Sequence, residues 1–235
     1  MNDLLGRCYV SGRDPRIWGN EDRYNDLIES IISLTSTGPS SSLLEVGCAT
    51  GFLTVGLAGK LHEYVGVDIA PEAVRVAKSL RIENCSFDVS DGDDLPFPDN
   101  RFDASILYDV VTNFPTLSEI APIIKEMDRV TRVGGVVLIG SIPNEHFQDE
   151  DRKTALDLDS LLSSIPFDAT TSRRSARKTF RRRWLRRVEP GIVGYYFRPE
   201  DFESLGTDLG LHTRIEPIHG LNPYVRSRFN VVYHR

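Results

Sequence analysis

The residues best suited to chemistry here are acids that close short apolar runs beside small residues. Leu43-Leu44-Glu45-Val46 runs into Gly47-Cys48-Ala49-Thr50-Gly51, and Tyr64-Val65-Gly66-Val67 ends at Asp68. Such short apolar runs read as buried parallel strands. The small-residue turn after Val46 lets a ligand approach the backbone closely. Helical spacing from Phe52 to Lys60 then presents the unpaired N–H groups of a helix start. Glu45, Gly47, Cys48, Ala49 and Gly51 thus outline a ligand cradle. A dinucleotide fingerprint, G-x-G-x-x-G, begun at Gly47 would need a small residue at position 52, where Phe52 stands. Asp68 lies 17 residues beyond Gly51, near the offset at which such folds hold a ribose. A carboxylate there accepts hydrogen bonds from both vicinal hydroxyls. A lone Asp at a strand end is more often a helix cap, and the adjoining loop shifts the balance towards a ligand contact.

The elements that must position these groups follow from periodicity. Tyr24, Leu27, Ile28, Ile31 and Ile32 recur at helical spacing, and Thr35 to Ser42 links that helix to the first strand. Pro71 opens a helix after Asp68. Cys85 to Val89 begins the third unit, and Ala104 to Tyr108 is a fourth strand whose exit places Tyr108 and Asp109 at the carboxyl edge. Open α/β sheets bind ligands along that edge. Leu117 to Arg132 reads as a helix broken by Val133-Gly134-Gly135. Val136 to Ile139 is a fifth strand, with Asn144 and His146 just past its exit. Asp149 to Ser164 reads as helical, and His212–Pro217 and Phe229–His234 as closing antiparallel strands. The expected fold is α/β, a Rossmann-like seven-stranded, mostly parallel sheet in order 3-2-1-4-5-7-6 with helices on both faces and only the seventh strand antiparallel. One domain spanning 1–235 is expected, with residues 1–36 as an N-terminal cap and 147–198 as an insert.

The pattern acid-x-Gly-x-Ala-x-Gly from Glu45 to Gly51 resembles the first motif of class I S-adenosylmethionine-dependent methyltransferases, in which a glycine replaces Ala49. Alanine adds only a methyl group and is tolerated there if φ is negative. Asp91-Gly92-Asp93-Asp94-Leu95-Pro96-Phe97, followed by Phe102-Asp103, is similar to a further stretch of the same family, with Gly92 where alanine is usual. The resemblance covers roughly residues 42–144. It implies S-adenosyl-L-methionine as cofactor, held by Glu45, Gly47, Cys48, Ala49, Gly51, Asp68, Ile69, Asp91, Gly92 and Tyr108. Asp91 takes the adenine-facing position, where an acid can accept from the adenine amino group. No metal is implied.

The acceptor is less legible. Exocyclic-amine methyltransferases carry [N/D]-P-P-[Y/F] after the fourth strand, where this chain reads Tyr108-Asp109-Val110-Val111. A nucleic-acid base is therefore disfavoured, and a small molecule methylated on oxygen is favoured. A hydroxyl acceptor benefits from a general base, and His146 is the best-placed histidine. Asp109 and Asn144 are further acceptor-side candidates. Residues 173–187 hold eight arginines and Lys178, against a chain total of −6. This stretch is a solvated helix, a wall for an anionic acceptor such as a phosphorylated or nucleotide-linked sugar, or a dock for nucleic acid or membrane. The second reading puts Arg181, Arg182 and Arg183 at the acceptor. RNA- or protein-directed methylation, and nucleoside binding without catalysis, are the rival functions. Three cysteines without metal-type spacing, and no apolar run of membrane-spanning length, fit a reduced, cytoplasmic protein.

Overall fold

The computed structural model describes Cys8, Arg13, residues 15–164 and residues 194–235. Residues 173–187, with Arg181, Arg182 and Arg183, lie outside them. Seven strands form one sheet: β1 (Ser42–Val46), β2 (Glu63–Asp68), β3 (Cys85–Val89), β4 (Phe102–Tyr108), β5 (Thr131–Pro143), β6 (His212–Pro217) and β7 (Arg228–His234). Their order is β3-β2-β1-β4-β5-β7-β6. The first five run parallel, and β7 is antiparallel to both β5 and β6. The expected order and the single reversed strand are both found.

Among the described residues, helices α1 (Pro15–Trp18), α2 (Glu21–Thr35), α3 (Thr54–Ala58), α4 (Pro71–Lys78), α5 (Leu117–Val130), α6 (Gln148–Ser164) and α7 (Pro199–Leu209) accompany the sheet. Alternate residues of the central strands feed two cores. On one face Leu43, Tyr64 and Ile106 pack with Leu27, Ile28 and Ile31 of α2, Leu57 of α3 and Val74 of α4. On the other, Leu44, Val65, Leu107 and Ile139 pack with Ile120, Ile124 and Met127 of α5 and Phe202 of α7. Burial on both faces explains why these strands read as unbroken apolar runs. Each fully buried Leu, Ile or Val contributes roughly 1.5–3 kcal/mol, and β1 and β4 at the sheet centre bury such residues towards both faces.

Three boundaries differ from the sequence reading. α3 covers only Thr54–Ala58, because the chain turns again at Gly59. α5 stops at Val130 and β5 begins at once, running thirteen residues instead of the four expected. Gly134, at φ +78°, bends this strand without ending it, the behaviour of a bulge. A second irregularity, at Ser141 (φ +61°), shifts the pairing with β7 between Ile139 and Ile142.

Candidate active site

β1 delivers Gly47 and Gly51 into the loop at φ +78° and +85°, which glycine adopts without the clash that a Cβ brings. A Cβ on Gly47 would lie 2.6 Å from Val110 Cγ2, and one on Gly51 2.7 Å from Leu80 Cδ1. Ala49 is left-handed as well, at φ +47°. The condition of a negative φ, under which alanine is tolerated without strain, is therefore not met. The strain, of order 1–2 kcal/mol for an L-residue, is offset where the Ala49 N–H donates to Asp68 Oδ2 at 2.8 Å. The Gly47 and Cys48 N–H groups both donate to Val67 O, at 2.8 and 3.0 Å, tying the loop to β2.

α2 supports the loop from behind. Tyr24 donates its hydroxyl to Phe52 O at 2.8 Å and accepts from the Gly56 N–H at 3.0 Å. The helical spacing that marked Tyr24 in the sequence did not point to its hydroxyl. Its ring also meets Phe52 edge-on, with centroids 5.1 Å apart.

Glu45 is 3% exposed and accepts from the Tyr64 hydroxyl. Burial pushes its carboxyl up to about 8, with Asp68 adding to the rise and Arg13 opposing it. Asp68, also buried, accepts from Ala49 and, at 2.9 Å, from the Ala70 N–H. Burial raises its pKa while these two N–H groups lower it. Its oxygens are fixed in place, each with lone-pair capacity beyond one backbone bond. Ile69 beside it is 52% exposed, an apolar platform at the mouth of the cradle. Cys48 is buried, and that burial pushes its thiol pKa up, which disfavours the thiolate. Asp91 is exposed, and Gly92 is buried against Val46 and Ile123. Asp91 hydrogen-bonds Asp93, raising the latter's pKa.

At the β4 exit, Tyr108 is buried rather than projecting, with its ring over Gly140. Asp109 adopts φ +61° and donates its N–H to Gly140 O at 3.0 Å. Its carboxylate pairs with Arg13 Nη1 at 3.0 Å and Arg228 Nη1 at 3.1 Å, and Ser141 Oγ lies at 3.3 Å. Arg228 also donates Nε to Asp151 Oδ1 at 3.1 Å and stacks on Tyr224 at 3.8 Å. Asp151 in turn accepts from Ser227 Oγ at 2.8 Å. Arg13, Ser141, Asp151 and Arg228 carry no motif and were missed. Asn144 accepts from the His146 N–H at 3.0 Å, and its own N–H donates to Ser227 O. His146 is exposed and faces Glu200 of α7 at 3.5 Å. Glu45, Asp68, Asp109 and Arg13 are thus brought around one loop, with Asn144 and His146 one strand exit away.

These residues suit the cofactor that the resemblance implies. The glycine loop packs so closely on Val110 and Leu80 that a Cβ on Gly47 or Gly51 would clash, and the nearby Thr50 and Thr54 hydroxyls are buried without a hydrogen-bond partner among the described residues. Among those residues no cluster of three or more His, Cys, Asp or Glu could hold a metal ion, and no helix is long and apolar enough to cross a membrane.

The fold is that of the class I S-adenosylmethionine-dependent methyltransferases, and residues 44–139 match the methyltransferase domain family. The chain is 35% identical over 118 residues to a probable tRNA methyltransferase 9B of Bos taurus, covering 48% of this chain and 25% of that protein. It is 26% identical over 152 residues to a malonyl-[acyl-carrier protein] O-methyltransferase of Serratia marcescens, covering 63% of this chain and 58% of that one. The chain therefore spans less than two thirds of each of these curated relatives. A crystal structure of magnesium protoporphyrin IX methyltransferase from Synechocystis PCC 6803 with bound SAH superposes with a TM-score of 0.62 at 16% identity, over 99% of this chain and 94% of that one.

Proposed function

We propose that this chain transfers the methyl group of S-adenosylmethionine to a small-molecule acceptor, by preference to a hydroxyl. The observation that carries the reading is Asp68: two backbone N–H groups fix its carboxylate between the glycine loop and the exposed Ile69. That arrangement presents acceptor oxygens to a ribose and an apolar surface to a base. Asp91 is proposed for the adenine amino group. When bound, the cofactor supplies a sulfonium methyl group that needs no acid to activate its departure. The chain's own part is orientation and water exclusion, which together supply roughly 7–11 kcal/mol of barrier lowering. A hydroxyl proton leaves to a base at the carboxyl edge, for which His146 is the candidate, with Asp109 as an acceptor-side contact. The arginine-rich segment is the proposed contact for an anionic group on the acceptor.

Calorimetry tests the cofactor directly. S-adenosylhomocysteine should bind and NAD should not, and Asp68→Ala should cost about 1–3 kcal/mol of affinity by removing charged acceptors from their partners. An unchanged dissociation constant would take Asp68 out of the site. A cofactor-consumption screen across sugars, phosphosugars, phenols and RNA then finds the acceptor.

A second reading, methylation of RNA, is favoured by the similarity to a tRNA methyltransferase and by the eight arginines of 173–187. It is separated by salt. A nucleic-acid dock gives a steep linear fall of log affinity with log salt, whereas a small acceptor held at a few charges does not.

A further inference from the structure

We propose that Arg228, Ser227 and Tyr196 form a carboxylate-binding pocket, which Asp151 of α6 plugs from within the chain. The starting observation is how α6 is held. A helix normally docks by an apolar stripe. Across residues 148–158, the described side chains of α6, Asp151 alone is buried, while Leu156 is 69% exposed. Over that span the helix therefore inserts an acid, with its side chain 1% exposed. The carboxylate accepts from Arg228 Nε at 3.1 Å, from Ser227 Oγ at 2.8 Å and from the Tyr196 hydroxyl at 3.3 Å.

The receiving groups are fixed by elements other than α6. Arg228 opens β7, its Nη1 donates to Asp109 Oδ1 and Ser141 Oγ, and its guanidinium lies 3.8 Å over the Tyr224 ring. Ser227 O accepts from the Asn144 N–H at 3.0 Å, and Phe197, next to Tyr196, exchanges main-chain hydrogen bonds with Pro143 and Glu145. One charged and two hydroxyl donors thus converge from the sheet side on a single carboxylate. Donors so placed bind an anion strongly, the charged one most of all. A buried guanidinium that loses its acid is heavily destabilised, so Asp151 leaves when another anion takes its place. A free carboxylate brings the same charge and the same two oxygens, and its entry releases α6 from the carboxyl edge. The pocket adjoins Asn144 at the β5 exit, which assigns the ligand to the acceptor, as a carboxylate-bearing molecule. That assignment, unlike the pocket, rests on the methyl-transfer reading.

Calorimetry on the full chain tests the pocket with sodium acetate, referenced to equal sodium chloride. Asp151→Ala, which pulls the plug, should bind acetate at least tenfold more tightly than the wild-type protein. Adding Arg228→Gln should abolish that gain. No acetate binding in Asp151→Ala, equal binding in the wild-type protein, or binding that survives Arg228→Gln would each overturn the proposal. Asp151→Asn keeps the shape and removes the charge, and is read by hydrogen exchange. Its amides at 148–158 should exchange at least tenfold faster, with β4 and β5 as protected as in the wild-type protein. Unchanged exchange in α6 would mean that other contacts dock the helix, and a rise across the sheet that the acid serves the fold. Either result overturns the plug. Thermal melting checks that the variants fold. Neither arm involves the methyl donor, so a failure of S-adenosylhomocysteine to bind would sink the methyl-transfer reading and leave the pocket to be judged on its own.

Discussion

At the scale of single residues, the site is built on acids held where water is scarce. Glu45 shows the consequence. Its carboxyl rises from 4.5 to about 8 because the folded chain buries it. A raised carboxyl means that the native state keeps a proton that the unfolded chain has already released. Stability is then undiminished below about pH 4.5 and is lost as the pH climbs towards about 8, by at most about 1.4 kcal/mol per unit. Glu45→Gln removes this titration. The stability of the wild-type protein, measured by denaturant unfolding without ligand, should therefore fall relative to the variant between pH 5 and 8. Parallel curves would show that the burial is relieved by water or movement. Ala49 makes the complementary point. Its left-handed backbone could not be foreseen from a methyl group's tolerance, because the N–H bond to Asp68 that offsets the strain joins two strand exits. Arg13, Asp151 and Arg228 were invisible for the same reason. Arg228 meets Asp109 across 119 residues and Asp151 across 77, and no local period encodes such a pairing.

At the scale of elements, the parts that the sequence made legible are those with a single physical demand. β1, β2, β4 and β5 must be apolar on both faces, and their runs say so. α5 shows its buried side in Ile120, Ile123, Ile124 and Met127. The boundaries were harder, because a glycine in the left-handed region serves helix ends and bulges alike. Gly134 was read as a break and is a bend inside β5. The role of α2 was half legible. Its apolar stripe announced packing, but the Tyr24 hydroxyl does more, bridging Phe52 O and the Gly56 N–H at the start of α3. Tyr24→Phe leaves a buried donor and acceptor without that partner, and should cost about 1–3 kcal/mol. Urea unfolding measures it, and an unshifted midpoint would show that the bridge is replaceable. Because the bridge adjoins the glycine loop, the variant should also bind S-adenosylhomocysteine more weakly than the wild-type protein.

At the scale of the whole molecule, the polarity of the sheet decides where function can be. Five parallel strands end on one side, and Gly47, Asp68, Val89, Asp109 and Asn144 all follow or close a strand there. β7 runs the other way. Its first residue, Arg228, therefore joins the cluster around Asp109, while its last, His234, pairs with Val136 at the opposite border of the sheet. Arg235 is secured there, exchanging main-chain hydrogen bonds with Gly134 and Gly135, and its side chain reaches Asn100, Arg129 O and Thr131 O. Seven residues of strand, roughly 20 Å at about 3.3 Å each, separate the two ends. For anyone fixing the protein to a sensor chip, this makes Arg235 the natural handle. A short flexible tag joined there turns the cradle towards the flowing solution. S-adenosylhomocysteine should then bind the tethered protein with the dissociation constant found free in solution.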